Sequence, residues 1–192
     1  MSSTLFQGEK IRLAAIDPKT MGKTFARWLQ NSDYARLLDS DPPKLFSAKA
    51  SEKWLEKKLV KGESDEIMLA IHTLEDDRVI GFIGFDGISW PHGNTWVGIG
   101  LGENQYWGQG YGTDAMRVML RYAFTELNLH RVTLNVFGYN ERAIRSYEKA
   151  GFQVEGRERG ALNRDGRRWD IIYMGILKAA WLENIYKPHK KG

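Results

Sequence analysis

The chain has 192 residues, of which 42% are hydrophobic and 27% charged, and it contains no cysteine. This length suits a single domain over 1–192 with a buried core, and the lack of cysteine excludes disulfides, thiolate metal sites and a cysteine nucleophile. The net charge of +4 is modest and the four histidines have no metal-ligand spacing, so we expect neither a nucleic-acid-binding protein nor a metalloprotein.

The first third of the chain predicts one strand followed by three helices. Apolar residues alternate within Lys10–Ile16, which indicates a strand. Asp17 and Pro18 are typical of an N-cap and a first helical residue. The predicted helices run from there to about Leu29, over Asn31–Leu38, and from a cap at Ser47 to a stop at Gly62, with a break at Asp39–Pro43.

The middle of the chain changes to an alternating pattern. It predicts three strands, which are Ile67–Leu74, Val79–Phe85 and Thr95–Leu101. The segment Tyr106–Thr113, YWGQGYGT, follows as a glycine-rich loop. After it, apolar residues recur at helical spacing from Met116 to Leu127, which indicates an amphipathic helix of about four turns.

The last third predicts three strands around a short helix. The predicted strands are His130–Phe137, Phe152–Glu155 and Arg168–Leu177, the last two joined by a polar turn at Asn163–Gly166. The helix, NERAIRSYEKA, is capped by Asn140 and terminated by Gly151. Residues 179–192 are expected to form a C-terminal helical extension with a basic tail. The whole pattern indicates a mixed α/β (α+β) fold, with strands in the middle and helices on the faces.

The chain carries no signal for export or membrane insertion. No apolar run reaches the roughly 18 residues that a membrane-spanning helix needs, and the N-terminal residues lack a signal-peptide pattern. A short basic tail, with Lys187, Lys190 and Lys191, is typical of a solvated chain end. We therefore expect a cytoplasmic protein with no membrane partner.

The glycine-rich loop is the first candidate binding site. Gly108, Gly110 and Gly112 leave main-chain NH groups unshielded at the point where the long helix begins. The N-terminus of a helix attracts anions because its first NH groups have no partner within the helix. The loop is therefore a candidate phosphate cradle.

The order of these motifs resembles the Gcn5-related N-acetyltransferases, and more narrowly the branch with the ribosomal-protein N-terminal and spermidine acetyltransferases. The resemblance covers Lys10 to about Leu177 and rests on two motifs, the loop YWGQGYGT and the segment YNERAIRSYEKAGF. It implies a mostly antiparallel central sheet with helices on both faces. It also implies acetyl-CoA as co-substrate, a primary amine as acceptor and a homodimer.

The resemblance assigns roles to particular residues. It implies that NH groups of the loop hold the pyrophosphate, that residues of the strand before it contact the thioester, and that Tyr147 is the general acid. Trp107 departs from the polar residue usual at the start of the family's loop pattern. The cofactor-binding residues expected on this basis are Ile99, Leu101, Gln109, Gly110, Tyr111, Gly112, Thr113, Asn140 and Ala143.

From the residues alone, the second motif has a simpler interpretation. Asn140 is then only a helix cap and Tyr147 only a core residue, since both are common. Positions 140, 143 and 147 do share a helix face, as a binding surface requires. The family resemblance favours the functional interpretation.

The acceptor amine is the open question. Many relatives carry a glutamate on the strand before the loop, where Trp96 stands here. Neutralising a lysine-like amine at pH 7 costs about 4.6 kcal/mol and an α-amine only about 1–1.4 kcal/mol. A site without a strong base therefore favours the N-terminal α-amine of a protein or peptide.

Three alternatives remain at this stage. A polyamine or an aminoglycoside is the acceptor if Asp39 and Asp41 form an acidic lip rather than a solvated turn. A non-catalytic acyl-CoA sensor is the alternative outside enzymes. Trp90 and Trp96 are expected to wall the acceptor cleft, and His92 is a weaker candidate for the base.

Overall fold

The computed structural model describes residues 4–60 and 65–186. Its seven strands are β1 (Ile11–Ala15), β2 (Ile67–Thr73), β3 (Val79–Ser89), β4 (Asn94–Leu101), β5 (Arg131–Phe137), β6 (Gln153–Arg164) and β7 (Arg167–Leu177). Its six α-helices are α1 (Pro18–Trp28), α2 (Ser32–Leu38), α3 (Ala48–Val60), α4 (Tyr111–Thr125), α5 (Glu141–Ala150) and α6 (Lys178–Tyr186). A short 3-10 helix, Asn104–Tyr106, precedes α4.

The strands form one sheet in the order β1-β2-β3-β4-β5-β7-β6. Every neighbouring pair is antiparallel except β4 and β5, which are parallel. Such a pair needs a crossover between its strands, and α4 supplies it. The predicted mixed, mostly antiparallel sheet is confirmed.

Helices cover both faces of the sheet because the strands alternate. In β3, Ile83 and Phe85 belong to a core that includes the apolar face of α4, whereas Phe82 packs with the core of α1, α2 and α3. The α4 core contains most of the buried residues, among them Met119 and Phe124. Successive residues of a strand therefore pack in the two different layers, one on each face of the sheet.

The predicted helix caps are present. Asp17 accepts hydrogen bonds from main-chain NH groups in the first turn of α1. Asn31, at which the second helix is expected to begin, caps α2 in the same way. Ser47 Oγ accepts from Ala50 NH at 3.1 Å at the start of α3. Gly151 ends α5 with a left-handed φ of 104°. The predicted stop of the third helix at Gly62 lies outside the described residues.

The extents of two strands were predicted wrongly. β3 continues to Ser89 instead of ending at Phe85. β6 continues to Arg164 instead of ending near Glu155. β6 is an edge strand, and most of its residues are exposed. Its pairing with β7 is irregular between Glu158 and Leu162. Apolar and polar residues therefore do not alternate along its sequence. The predicted turn is present, as Asp165 and Gly166 both have positive φ, typical of a tight hairpin.

The two ends of the described chain pack against α4. The buried carboxylate of Asp114 accepts hydrogen bonds from the NH groups of Glu9, Lys10 and Ile11 at 2.8–3.1 Å. The ring of Trp181 on α6 lies 5.3 Å from the ring of Phe124. The predicted basic tail lies outside the described residues, and a single domain over 1–192 stays a prediction.

Candidate active site

The site begins where β4 and β5 separate. They pair only over Asn94–Trp96 and Arg131–Thr133. Gly102 NH donates to Ile80 O on the other side of β4. Main-chain groups alternate in direction along a strand, so those of Ile99 and Leu101 face away from β3, toward the gap. A cleft of about 490 Å³ lies in this region.

The glycine-rich loop and the start of α4 form one end of the cleft. Gly108 and Gly110 have φ of 75° and 91°, and a Cβ atom on either would meet nothing within 4 Å. The first main-chain bond of α4 joins Asp114 NH to Gly110 O at 2.9 Å. The NH groups of residues 111–113 therefore precede the regular bonding of the helix and can bind an anion.

Basic side chains surround this end of the cleft. The lining includes Lys10, Arg117, Arg142, Arg145 and Lys149, against the acidic Glu9 and Asp114. The Asp114 carboxylate is already occupied by three main-chain NH groups. The surplus of positive charge suits a ligand that carries several phosphate groups.

Trp107 fixes the loop to the strand. Its indole Nε1 donates to Leu101 O at 2.7 Å. The Arg142 guanidinium lies over its ring, 4.0 Å from the centroid. The departure from the family's polar residue at this position therefore has a structural role, since Trp107 holds the loop on β4 and Arg142 on the wall of the cleft.

The helix α5 forms the opposite wall. The Asn140 side chain caps it by accepting from Ala143 NH at 3.2 Å. Tyr147 lies two turns further on, with its ring 6.2 Å from that of Phe152. Burial raises the pKa of Tyr147 to about 12, although the positive charge of Arg142 opposes this shift. The same burial lowers the pKa of Arg142.

A second cavity, of about 380 Å³, continues from the cleft on the side of α2. Both cavities are lined by Leu37, Leu38, Ile99, Asn140 and Tyr147. We call the second one the acceptor cavity. Its remaining walls come from β3, β4 and β5, and a Cβ atom added to Gly98 on this stretch of β4 would meet nothing within 4 Å.

Asp86 supplies a carboxylate to the acceptor cavity. It pairs with Trp96 across β3 and β4, and both residues line the cavity. Trp96 is 42% exposed and its ring lies 6.2 Å from that of Tyr173. Trp96 therefore does not leave this cavity without a carboxylate, because the neighbouring strand provides Asp86.

Eight of the ten predicted site residues line the cleft, namely Ile99, Leu101, Gly110, Gly112, Thr113, Asn140, Ala143 and Tyr147. Gln109 and Tyr111 are not among its lining residues. The Gln109 side chain bonds to Gln105 O, and the Tyr111 ring packs on Tyr106 at 5.0 Å. For the eight residues that line the cleft, the binding and catalytic roles stay predictions.

The lining also includes residues that sequence reasoning missed. Arg142, Arg145, Ser146 and Lys149 recur at helical spacing beside Tyr147, so the periodicity of α5 could have identified them. Tyr34 and Asp86 come from distant segments and have no comparable signal. Trp90 and His92 do not line either cavity, so their predicted roles at the acceptor site are not supported.

Two negative findings apply to the described ranges. In residues 4–60 and 65–186, no three histidine, aspartate or glutamate side chains cluster in a way that could hold a metal ion. No helix within those ranges is long and apolar enough to cross a membrane.

The chain is similar to known acetyltransferases. Residues 10–153 match the acetyltransferase (GNAT) domain family. The chain is 32% identical to the uncharacterized N-acetyltransferase p20 of Bacillus licheniformis over 119 residues, 62% of this chain and 65% of p20. It is 37% identical to spermidine N(1)-acetyltransferase of Escherichia coli K12 over 84 residues, 44% of this chain and 45% of that protein.

Among solved structures, the fold is similar to that of spermidine N-acetyltransferase from Vibrio cholerae in complex with CoA and spermine. The TM-score is 0.78 with 23% sequence identity, and the match covers 90% of this chain and 98% of that chain. The chain thus spans nearly the whole of that structure but less than two thirds of p20.

The first prediction concerns Gly110. Replacing Gly110 with valine should weaken CoA binding at least tenfold, because the new side chain enters the open space beside the helix NH groups. The matched control is Gly166→Val, since Gly166 also has a positive φ and open space but lies in the β6–β7 turn. Calorimetric titration with CoA should show wild-type affinity for Gly166→Val. Equal losses in both variants would contradict the assignment.

Proposed function

The chain belongs to the acetyltransferase (GNAT) family, and we propose that it transfers the acetyl group of acetyl-CoA to the N-terminal α-amine of a peptide or protein. The family match confirms the resemblance predicted from the two motifs. The acceptor proposal is carried by the composition of the acceptor cavity. Among its described lining residues, Asp86 is the one carboxylate, and the other side chains are neutral.

A cavity of this composition suits an acceptor with a single ammonium group. One carboxylate can hold one ammonium, while the neutral walls from Leu37, Phe82 and Phe137 suit an uncharged peptide segment behind it. A polyamine carries several charges, which neutral walls would leave unpaired. A peptide α-amine is also easier to neutralise, at about 1–1.4 kcal/mol at pH 7 against about 4.6 kcal/mol for a polyamine nitrogen.

The cleft fits acetyl-CoA in three respects. The open glycine loop and the free start of α4 suit the diphosphate, and the basic side chains suit the additional phosphate. The outward main-chain groups of Ile99 and the NH of Leu101 suit the amide groups of the pantetheine arm, while Leu101 O is bonded to Trp107. Tyr147 lines both the cleft and the acceptor cavity, so the thioester would lie beside its hydroxyl.

The proposed reaction is a direct transfer. The neutral amine attacks the thioester carbonyl carbon, a C–N bond forms, and the carbonyl electron pair moves onto oxygen, where a main-chain NH of β4 stabilises it. When the C–S bond breaks, Tyr147 donates its proton to the departing thiolate. The proton lost by the amine passes to Asp86 through water.

The raised pKa of Tyr147 affects the transfer of its proton to the departing thiolate. A phenol with a pKa of about 12 is fully protonated at neutral pH, so the proton is always present. Giving it to a thiolate of ordinary pKa, about 8.5, is uphill by about 5 kcal/mol, rather than about 2 kcal/mol for an ordinary phenol. Burial in the same cleft destabilises the thiolate as well, which reduces this difference.

A polyamine acceptor is the second candidate, and it is supported by the similarity to spermidine acetyltransferases and by one feature of the structure. Asp39 and Asp41 line an apolar cavity of about 460 Å³ that shares Leu38 and Phe82 with the acceptor cavity. A long cation could therefore extend from Asp86 toward these residues. Arg164 reduces their attraction because its guanidinium binds the main-chain oxygens of residues 39–41.

The second prediction identifies the acceptor. Release of free CoA thiol should be measured with acetyl-CoA and three amines: a lysine-free peptide with a free N-terminus, an Nα-blocked peptide with one lysine, and spermidine. We expect the highest kcat/KM, by at least tenfold, for the free N-terminus. Faster turnover of spermidine would favour the polyamine function. Tight CoA binding without turnover of any amine would indicate a non-catalytic acyl-CoA sensor.

The third prediction concerns Asp86. Asp86→Asn should lower kcat/KM for the preferred amine about tenfold at pH 7 and by less at pH 9, since the free α-amine predominates there without a base. Glu75→Gln, in the exposed turn after β2, is the control and should keep wild-type rates. A loss with Asp86→Asn that is the same at both pH values would contradict a role in proton transfer.

The fourth prediction concerns Tyr147. Tyr147→Phe should lower kcat about 100-fold, within the range typical of a lost general acid, and leave the Kd for CoA within twofold. Because the pKa of Tyr147 is about 12, wild-type kcat should show no loss from its ionisation up to pH 10. Unchanged turnover of Tyr147→Phe would remove this residue from the acid role.

A further inference from the structure

Tyr34, on α2, has a buried hydroxyl without a hydrogen-bond partner. The residue is 2% exposed, and within the described part of the chain its Oη atom makes no hydrogen bond. Its ring packs against Trp28 with 6.1 Å between the centroids. Burying a hydroxyl without a partner costs free energy, so such groups are rare and need an explanation, such as a water, a strained site or a bound ligand.

The hydroxyl lies beside β4 at the boundary of the two cavities. It is 2.9 Å from the position that a Cβ atom on Gly100 would occupy. Gly100 stands between Ile99 and Leu101, whose main-chain groups face the gap. Tyr34 lines the cleft together with Leu38 and Ile99, and those two also line the acceptor cavity. The hydroxyl is therefore close to the place where the thioester and the amine would meet.

The surroundings make Tyr34 a hydrogen-bond donor. Burial raises the pKa of its phenol above the ordinary value, so the hydroxyl keeps its proton. Leu38 and Phe82, which a Cβ atom on Gly100 would also touch, form apolar neighbours. A donor that is held in place in apolar surroundings stabilises a developing negative charge more strongly than water does.

We propose that Tyr34 is a catalytic residue whose hydroxyl donates a hydrogen bond to the carbonyl oxygen of the acetyl thioester. As the amine forms the C–N bond, the carbonyl electron pair moves to this oxygen and the hydrogen bond strengthens. When the C=O bond re-forms, the C–S bond breaks and the thiolate leaves with the proton from the general acid. Tyr34 keeps its own proton throughout. The inference depends on the proposed placement of acetyl-CoA in the cleft.

Tyr139 provides the contrast. Its hydroxyl donates to Arg36 O at 2.6 Å, so its partner is within the protein. It contacts α2, the helix that carries Tyr34, but it lines neither cavity. A tyrosine that serves only the fold is expected to look like Tyr139, with its hydroxyl satisfied in the free protein.

The fifth prediction compares these two tyrosines. Tyr34→Phe should lower kcat about 100-fold with the best acceptor, whichever amine that is, and leave KM for acetyl-CoA within twofold. Its Tm should stay the same or rise, because the variant removes a buried hydroxyl that had no partner. The matched control, Tyr139→Phe, should lower Tm and keep kcat within twofold of the wild type.

A spectroscopic measurement tests the same contact without an acceptor. Infrared spectra of acetyl-CoA labelled with ¹³C at the thioester carbonyl should show a lower carbonyl stretching frequency when it is bound to the wild-type protein. This shift should be smaller with Tyr34→Phe and unchanged with Tyr139→Phe. The proposal is overturned by wild-type kcat in Tyr34→Phe, by an effect on KM alone, or by no carbonyl shift in the wild-type complex. Because this readout needs no amine, it separates failure of this inference from failure of the peptide acceptor.

Discussion

The parallel pairing of β4 and β5 ends after three residue pairs, and the site depends on this separation. Strands that stayed paired would use the main-chain groups of Ile99 and Leu101 in the sheet. Because the strands diverge, these groups face a gap instead, where Leu101 O accepts a hydrogen bond from Trp107 Nε1 and the other groups need a partner when they are buried. The same divergence connects the cleft on the α4 side with the acceptor cavity on the α2 side. One irregularity in the sheet therefore leaves main-chain groups of β4 unpaired by β5 and joins the two cavities.

Glycines on β4 and directly after it border the second side of this passage. Gly102 is required by packing, since a Cβ atom there would lie 1.9 Å from the Trp28 ring. Gly100 is similarly confined by Phe82, Tyr34 and Leu38. Gly98 differs, because a Cβ atom there would meet nothing within 4 Å. Packing in the free protein therefore does not explain Gly98, whereas the proposed placement of the acceptor over β4 would require it.

Charge is divided between the two cavities. The cleft collects basic side chains from α4 and α5, such as Arg117 and Arg145, and the free NH groups at the start of α4 add to the positive field. The acceptor cavity contains Asp86 and no basic residue among its described lining. An anionic acyl donor and a cationic acceptor would thus be attracted to opposite ends of one path, and the proposed reaction takes place at Tyr147, which lines both cavities.

The sequence by itself determined the elements with local signals. The caps Asp17, Asn31 and Asn140, the glycine loop and the stop at Gly151 act within a few residues, so the predicted helices agree with the structure. The two motifs identified the family and six cleft-lining residues, and the strand before the loop added Ile99 and Leu101. The end of β6 was predicted wrongly because an exposed edge strand with irregular pairing has no apolar alternation.

The tertiary structure decided the features that join distant segments. Asp86 becomes the carboxylate of the acceptor cavity only because β3 pairs with β4 opposite Trp96. Tyr34 reaches the cleft only because α2 packs over Gly100. Trp107, which departs from the family's loop pattern, holds the loop on β4 through its hydrogen bond to Leu101 O. Local patterns specify elements because their interactions are short in sequence, whereas the acceptor site is formed by contacts across layers, which no single stretch encodes.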